Sequence, residues 1–287
     1  MNRTLEAMAQ AIFKSWFVDF EPVKAKQQAK AAGESVELAA MMALSGKPAT
    51  EIEQLPAVQR ASLAETAALF PERLVESELG LIPEGWEWGK FSNLCLLNQF
   101  SWKKATAPDH VIYVDLANTK NGEILEVKEF EWSDAPSRAR RILTSGDTIV
   151  GTVRPGNRSF ALIPDNSTQL TGSTGFAVLT PKKTEYREFN YIALTSDENI
   201  ERLSHLADGG AYPAVRPDVV PDFDLVMPSS DVMRSFHNQC SVLFDRTQQN
   251  RNESQTLAQL RDTLLPKLLS GELTIPDAMV QTEEVLS

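Results

Sequence analysis

Two amphipathic segments frame the chain. Near its C-terminus, Leu257 to Leu273 reads LAQLRDTLLPKLLSGEL. Leu257, Leu260, Leu264 and Leu268 recur at three- and four-residue steps, which predicts a helix with one leucine face. Arg261 and Lys267 lie off that stripe. Gly271 follows as a stop, because glycine takes the left-handed cap conformation without strain. At the other end, Thr4 to Phe20 predicts a second helix, with Leu5, Met8, Ile12, Phe13 and Trp16 on one face. Pro22 disfavours helix beyond Phe20. Upstream of the leucine stripe, Met233, Phe236, Cys240 and Leu243 form an apolar seam whose start Ser229 or Ser230 can cap. The seam turns polar at Thr247, Asn250 and Ser254. Polar residues there cost stability but can fix register.

Between these ends the periodicity changes. Residues 24–79 read as a connector rich in Ala, Glu and Gln. Within it Val36 to Leu44 and Ala57 to Phe70 predict short helices, broken by Gly46, Pro48, Pro56 and Pro71. A surface strap without chemistry is the expected role. Residues 80–228 read as a mixed α/β domain. Val111 to Leu116, Thr148 to Val153, Ser159 to Ile163 and Gly175 to Leu179 are β-branched and aromatic enough to predict strands. Asn121-Gly122 marks a tight turn between Val111–Ala117 and Ile124–Phe130, and Ser145-Gly146-Asp147 marks another. Phe189 to Leu194 and Asn199 to Leu206 predict helices. Pro213, Pro217, Pro221 and Pro228 predict an irregular exit. Residues 229–273 form the distal helix, and 274–287 an acidic, frayed tail.

Charge refines this picture. The net charge of −11 argues against nonspecific coating of nucleic acid. Yet Ala135 to Phe160 holds Arg138, Arg140, Arg141, Arg154 and Arg158 against one acid, Asp147. Either this window docks on an anionic partner, or its arginines pair with the acids of Glu123 to Asp134 just upstream. No apolar run approaches the ~20 residues of a membrane helix, and Met1-Asn2-Arg3 leads straight into an amphipathic helix rather than a signal peptide. Cys95 and Cys240 lie far apart without metal-ligand spacing, which suits reduced cysteines of a cytoplasmic protein.

Catalytic signatures are missing. There is no glycine-rich loop for a methyl donor and no Asn/Asp-Pro-Pro-aromatic motif. Ser45-Gly46-Lys47 lacks the rest of a phosphate loop. His110, His205 and His237 share no metal spacing, and His237 reads as a helix-surface or interface residue. No catalytic or metal residue is assigned.

Three stretches carry a resemblance: NRTLEAMAQAIFKSWFVDFEPV (Asn2 to Val23), LGLIPEGWEWGKFSNL (ending at Leu94) and LAQLRDTLLPKLLSGEL. Together they resemble the specificity subunit of type I restriction-modification enzymes. The first is similar to the end of that family's central spacer, the second to the start of a target-recognition domain, the third to the end of the distal spacer. The resemblance implies an α+β fold: one mixed α/β target-recognition domain flanked by long coiled-coil-like spacer helices. It covers the whole chain but half of a full-length subunit. In the family pattern a further spacer helix would precede Asn2, so a start this close to the motif would suit a split gene, an internal start or a designed truncation.

The resemblance also implies a function. The chain would bind double-stranded DNA and give a modification subunit its sequence preference. S-adenosylmethionine would reside on that modification subunit, so this chain needs no cofactor. A restriction subunit would join the complex. One recognition domain reads half of a bipartite site, so a homodimer or pairing with another half-subunit is expected. The interface residues would be Leu5, Met8, Ile12, Phe13, Trp16, Met233, Phe236, Leu243, Leu257, Leu260, Leu264 and Leu268. The rival reading is a truncated subunit that binds modification or full-length specificity subunits without reading DNA.

Readout needs base-edge contacts plus phosphate contacts. Candidate DNA-binding residues are Lys103 and Lys104 after Trp102, Lys120 in the Asn118–Gly122 turn, and Arg138, Arg140 and Arg141. Arg154 and Arg158 flank Pro155-Gly156-Asn157; arginine clamps guanine and Asn157 could clamp adenine. Gly210 and Tyr212 belong to a glycine-rich aromatic-proline loop that resembles a segment common in the family, with Arg216 close behind. The plain alternatives are solvated lysines, a charged hairpin and a structural turn.

Overall fold

Helix α1 (Asn2–Phe13) passes into a single π-turn over Lys14–Val18, closed by Asp19 N–H donating to the Lys14 carbonyl. The structure, a computed structural model, describes residues 2–165, 168–207 and 213–276. Phe20 then takes a left-handed conformation (φ 53°) and a new helix starts at once, α2 (Glu21–Ala32). Pro22 does not end helical structure here. It sits in the first turn of α2, where its missing N–H is no loss. The connector continues through α3 (Val36–Ser45), α4 (Ala49–Glu53) and α5 (Ala57–Ala68). It is more than a strap, because Ala40, Met41, Ile52 and Ala67 form a small core of their own.

A hairpin of β1 (Leu74–Ser77) and β2 (Gly80–Pro83) leads to β3 (Glu87–Lys90) and β4 (Cys95–Leu97). There follow β5 (His110–Val114), β6 (Thr119–Lys120), β7 (Glu123–Ile124), β8 (Lys128–Glu131), β9 (Ala139–Leu143), β10 (Thr148–Gly151), β11 (Phe160–Leu162), β12 (Leu170–Ser173) and β13 (Phe176–Pro181). Helices α6 (Arg187–Thr195) and α7 (Asp197–Ala207), strand β14 (Asp224–Met227) and the long helix α8 (Ser230–Ser270) complete the order.

One four-stranded sheet runs β11-β10-β13-β4, and a second runs β8-β5-β12-β9. The expected tight turn is real but local. Asn121 (φ 48°) and Gly122 (φ 85°) close the two-residue strands β6 and β7, while the outer pair β5 and β8 is antiparallel. Val114, Ile149, Ile163, Phe176 and Val178 form the apolar core of the sheets. The exit is more regular than its prolines suggest. β14 pairs with β3, and Phe223 stacks on Phe91 at 4.8 Å, so the two ends of the sheet region are clasped.

The chain divides into two units, Met8–Ser241 and a second made of Met1–Ala7 with Val242–Ser287. In the first, rings from five chain segments meet. Phe17 contacts Phe236 and Phe189, each at 5.0 Å, and Trp16 contacts Phe70 at 5.0 Å; Trp86 joins beside Phe17. Trp16, Met233 and Phe236 are therefore sealed in the chain's own core. This corrects their expected place at a subunit interface. An apolar stripe shows that a partner surface exists, and here part of that surface is the same chain.

A buried charge cluster reinforces the junction. Glu188 is fully buried on α6, takes Arg187 Nε at 2.6 Å and pairs with His237 of α8 at 2.5 Å. Arg187 also pairs with Asp165. Burial pulls the Arg187 guanidinium down, but the two carboxylates raise it overall. Removing Glu188 would leave the buried Arg187 guanidinium without its interior partner, at about 3–5 kcal/mol. His237 is thus an interior partner rather than a helix-surface residue. Cys95 and Cys240 are free and buried. Burial pushes the Cys95 thiol up to about 12 and the Cys240 thiol up as well, so neither is a ready nucleophile.

In the second unit, Asn250 Nδ2 donates to Asn2 Oδ1 at 2.8 Å. One of the polar seam residues therefore fixes the pairing of the two helices. Leu264 is buried, Leu260 and Leu268 are half-buried, and Leu257 is exposed. Gly271 (φ 74°) ends α8 as expected.

The aromatic junction yields a test. Phe236→Ala removes a fully buried ring and should destabilise the protein by about 3–5 kcal/mol in urea unfolding. A loss below about 1 kcal/mol would show that the junction is dispensable.

Candidate nucleic-acid interface

The sheet topology brings several strand ends together. β12 runs parallel to β5, with Gly172 opposite Val114, so both strands finish at the same end. β9 is antiparallel to β12 with Ala139 opposite Ser173, which places Arg138 there too. β10 ends beside the start of β13, with Gly151 opposite Phe176. The result is a cleft of about 560 Å³. Its lining comes from Asp115–Ala117 after β5, Ser173–Gly175 after β12, Arg138 before β9, and Thr152, Val153, Arg154, Asn157 and Ser159 after β10.

The walls are held by short side chains bonded to backbone. Thr152 Oγ1 donates to the Gly175 carbonyl at 2.8 Å, and Ser159 Oγ to the Leu116 carbonyl at 2.9 Å. Ser173 Oγ accepts from Gly175 N–H. Gly175 allows a close approach, since a Cβ there would lie 2.8 Å from Leu116 Cδ1.

The groups facing the space differ in their freedom. Arg138 is braced by its Nε donating to the Tyr113 hydroxyl at 3.1 Å. Arg154 and Asn157 are exposed, and their side chains have no bonding partner among the described residues. Arg154 (φ 46°) and Arg158 (φ 59°) both hold left-handed backbone on either side of the one-turn helix Pro155–Asn157. For a side-chain-bearing residue this costs about 1–2 kcal/mol. Strain of this kind gathers at functional sites.

The other expected DNA contacts are placed differently. Arg158 is committed within the protein: Nη1 pairs with Asp197 at 2.7 Å and Nε donates to Asn121 Oδ1 at 3.0 Å. Arg140 lies over the Trp132 ring at 4.4 Å and donates to the Ala139 carbonyl. Arg141 donates to Ser101 Oγ at 3.1 Å, and burial lowers its pKa. None of Arg140, Arg141, Arg154 and Arg158 forms an ion pair with the acids of Glu123 to Asp134 among the described residues. That proposed neutralisation of the window does not occur for these four. Lys103 and Lys104 are exposed on a loop anchored by Trp102, whose Nε1 donates to Thr171 Oγ1. Lys120 is exposed on β6, beside the turn that Arg158 holds. Arg216 is exposed and pairs with Asp218 at 3.0 Å. Gly210 and Tyr212 lie outside the described residues.

Of the residues expected from the sequence to contact DNA, the structure brings Arg138, Arg154 and Asn157 together around one cleft. Sequence reasoning missed Asp115, Thr152, Ser159 and Ser173, whose only signal was proximity to strand ends. Among the described residues no helix is long and apolar enough to cross a membrane, and no group of three or more metal-ligating side chains occurs.

No protein-family model matches the chain. It is 32% identical over 292 aligned positions to the type I restriction enzyme HindI specificity subunit of Haemophilus influenzae, an alignment covering 95% of this chain and 62% of that protein. It is 19% identical to the MjaIX specificity subunit of Methanocaldococcus jannaschii, over 96% of this chain and 54% of that one. The chain therefore spans somewhat more than half the length of these relatives. Among solved structures, the HsdS subunit from Thermoanaerobacter tengcongensis is similar at 26% identity and a TM-score of 0.47, over 66% of this chain and 49% of that one. Alignment over 95% of this chain to the Haemophilus protein bears out the resemblance: the chain belongs to the family of type I restriction enzyme specificity subunits.

Proposed function

We propose that this chain reads DNA sequence for a type I restriction-modification complex, directing its methyltransferase and endonuclease subunits to a target site. The single observation behind the reading is the cleft where Arg154 and Asn157 present unengaged side chains beside a braced Arg138. Guanidinium groups there can clamp guanine O6 and N7 or hold phosphates, and the amide of Asn157 can serve adenine. The acidic remainder of the chain repels DNA elsewhere and favours a single docking face.

In this reading the chain is non-catalytic and works in the cytoplasm. S-adenosylmethionine belongs to the modification subunit, and a restriction subunit joins the assembly. Leu257, Leu265 and Leu269 leave apolar surface exposed on α8, which suits a helix that takes a protein partner. A second copy, or another specificity chain, would supply the other half of a bipartite target.

Two measurements test this. Arg154→Ala should weaken binding to a selected target duplex at fixed salt. Loss of a base contact costs about 1–3 kcal/mol on that sequence alone; loss of a phosphate contact weakens all sequences and lowers the salt slope by about one. Arg154→Gly should bind as poorly, yet raise stability by about 0.5–1 kcal/mol, because it relieves left-handed strain that exceeds the entropic cost of glycine. Unchanged affinity in both variants would move the DNA face elsewhere. Light scattering of the purified chain should give a dimer mass, and a monomer at high concentration would defeat pairing of the free protein.

A further inference from the structure

Asp115 is the anomaly of the cleft. It lines the same space as Arg138 and Arg154, yet it forms no ion pair with Arg154 or with any other described residue. Its Oδ1 accepts the Asn118 N–H at 2.9 Å, which fixes the carboxylate at the end of β5. Oδ2 has no partner among the described residues. A carboxylate on a surface that meets phosphates raises the cost of docking any DNA. Such a group is compatible with binding where it meets a donor on the nucleic acid. An ionised carboxylate is acceptor-only; of the two major-groove amines, adenine N6 lies beside the N7 acceptor, which repels a carboxylate, so the donor that a carboxylate serves is the exocyclic N4 amine of cytosine. Guanine of the same base pair offers O6 and N7, which only a donor such as arginine can serve. One cleft that holds both a fixed carboxylate and unengaged guanidinium can therefore read the two halves of a single G·C pair.

We infer that Asp115 is a specificity-determining residue that accepts from cytosine N4 in the major groove, opposite a guanine contacted by arginine. The inference rests on the reading of this cleft as the DNA face. The test is selection of duplexes from a library with a randomised 14-base-pair window, by the full chain and by Asp115→Asn. Asparagine keeps the Oδ1 acceptor for Asn118 but loses the charge and offers an amide donor to the cytosine amine. Asp115→Ser, which can also cap Asn118, serves as a second variant, and the thermal transition of each is compared with that of the parent.

The parent should enrich cytosine at one position, and both variants should lose that preference by roughly five- to hundredfold while keeping the other positions. Retained cytosine preference in a folded variant, with affinity raised equally on all sequences, would overturn the inference. Asp115 would then be a turn cap whose charge merely opposes DNA. If the parent selects no sequence at all, the reading of the cleft as a DNA face fails first, and the role of Asp115 falls with it. Loss of preference at a position where the parent selects adenine, guanine or thymine would also overturn it.

Discussion

The aromatic junction is the constraint on which the unit Met8–Ser241 depends. Its rings come from the π-turn after α1, the end of the connector, the segment before β3, α6 and the start of α8. Each ring is large enough to bury 150–250 Å², and none of these segments could bury its ring alone. Phe189 ties the cluster to α6, and α6 packs on β10. β10 in turn runs straight into Thr152 and Arg154. The position of the cleft is therefore set by packing far from it in sequence, with the Glu188–His237 pair adding a directional contact that fixes how α6 meets α8.

Helices were legible from the sequence where their periodicity was long. α8 and α1 followed from apolar steps of three and four, and α3 and α5 from helical runs between glycine and proline breaks. α2 was not, because Pro22 reads as a stop unless the turn before it is known to reset the chain. Strands β5, β10, β11 and β13 announced themselves through β-branched residues. β9 did not: its Ala-Arg-Arg-Ile-Leu sequence looks like a basic loop, and only pairing with β12 makes it a strand. β14 hid among prolines because its stability comes from β3, more than 130 residues upstream.

The same contrast governs the site. Arg154 and Asn157 were legible because the loop that bears them is local: proline and glycine between charged flanks. Arg158 has the same local signature, but Asp197 on α7 claims its guanidinium, and no local pattern encodes that pairing. Asp115 and Ser173 meet only because β5 and β12 are parallel neighbours, a relation that short-range sequence does not carry. Trp16 and Phe236 illustrate the limit for surfaces. Spacing identifies an apolar face, but the identity of what covers it depends on the whole fold.

The cleft separates two kinds of work. Thr152, Ser159 and Ser173 bond to backbone and hold its walls, whereas Asp115 Oδ2, Arg154 and Asn157 project into it without supporting them. Replacing the projecting groups leaves the hydroxyl scaffold untouched. On the proposed reading of the cleft as the DNA face, exchanging Arg154 or Asn157 would change what the cleft recognises while leaving intact the hydrogen bonds that hold its walls.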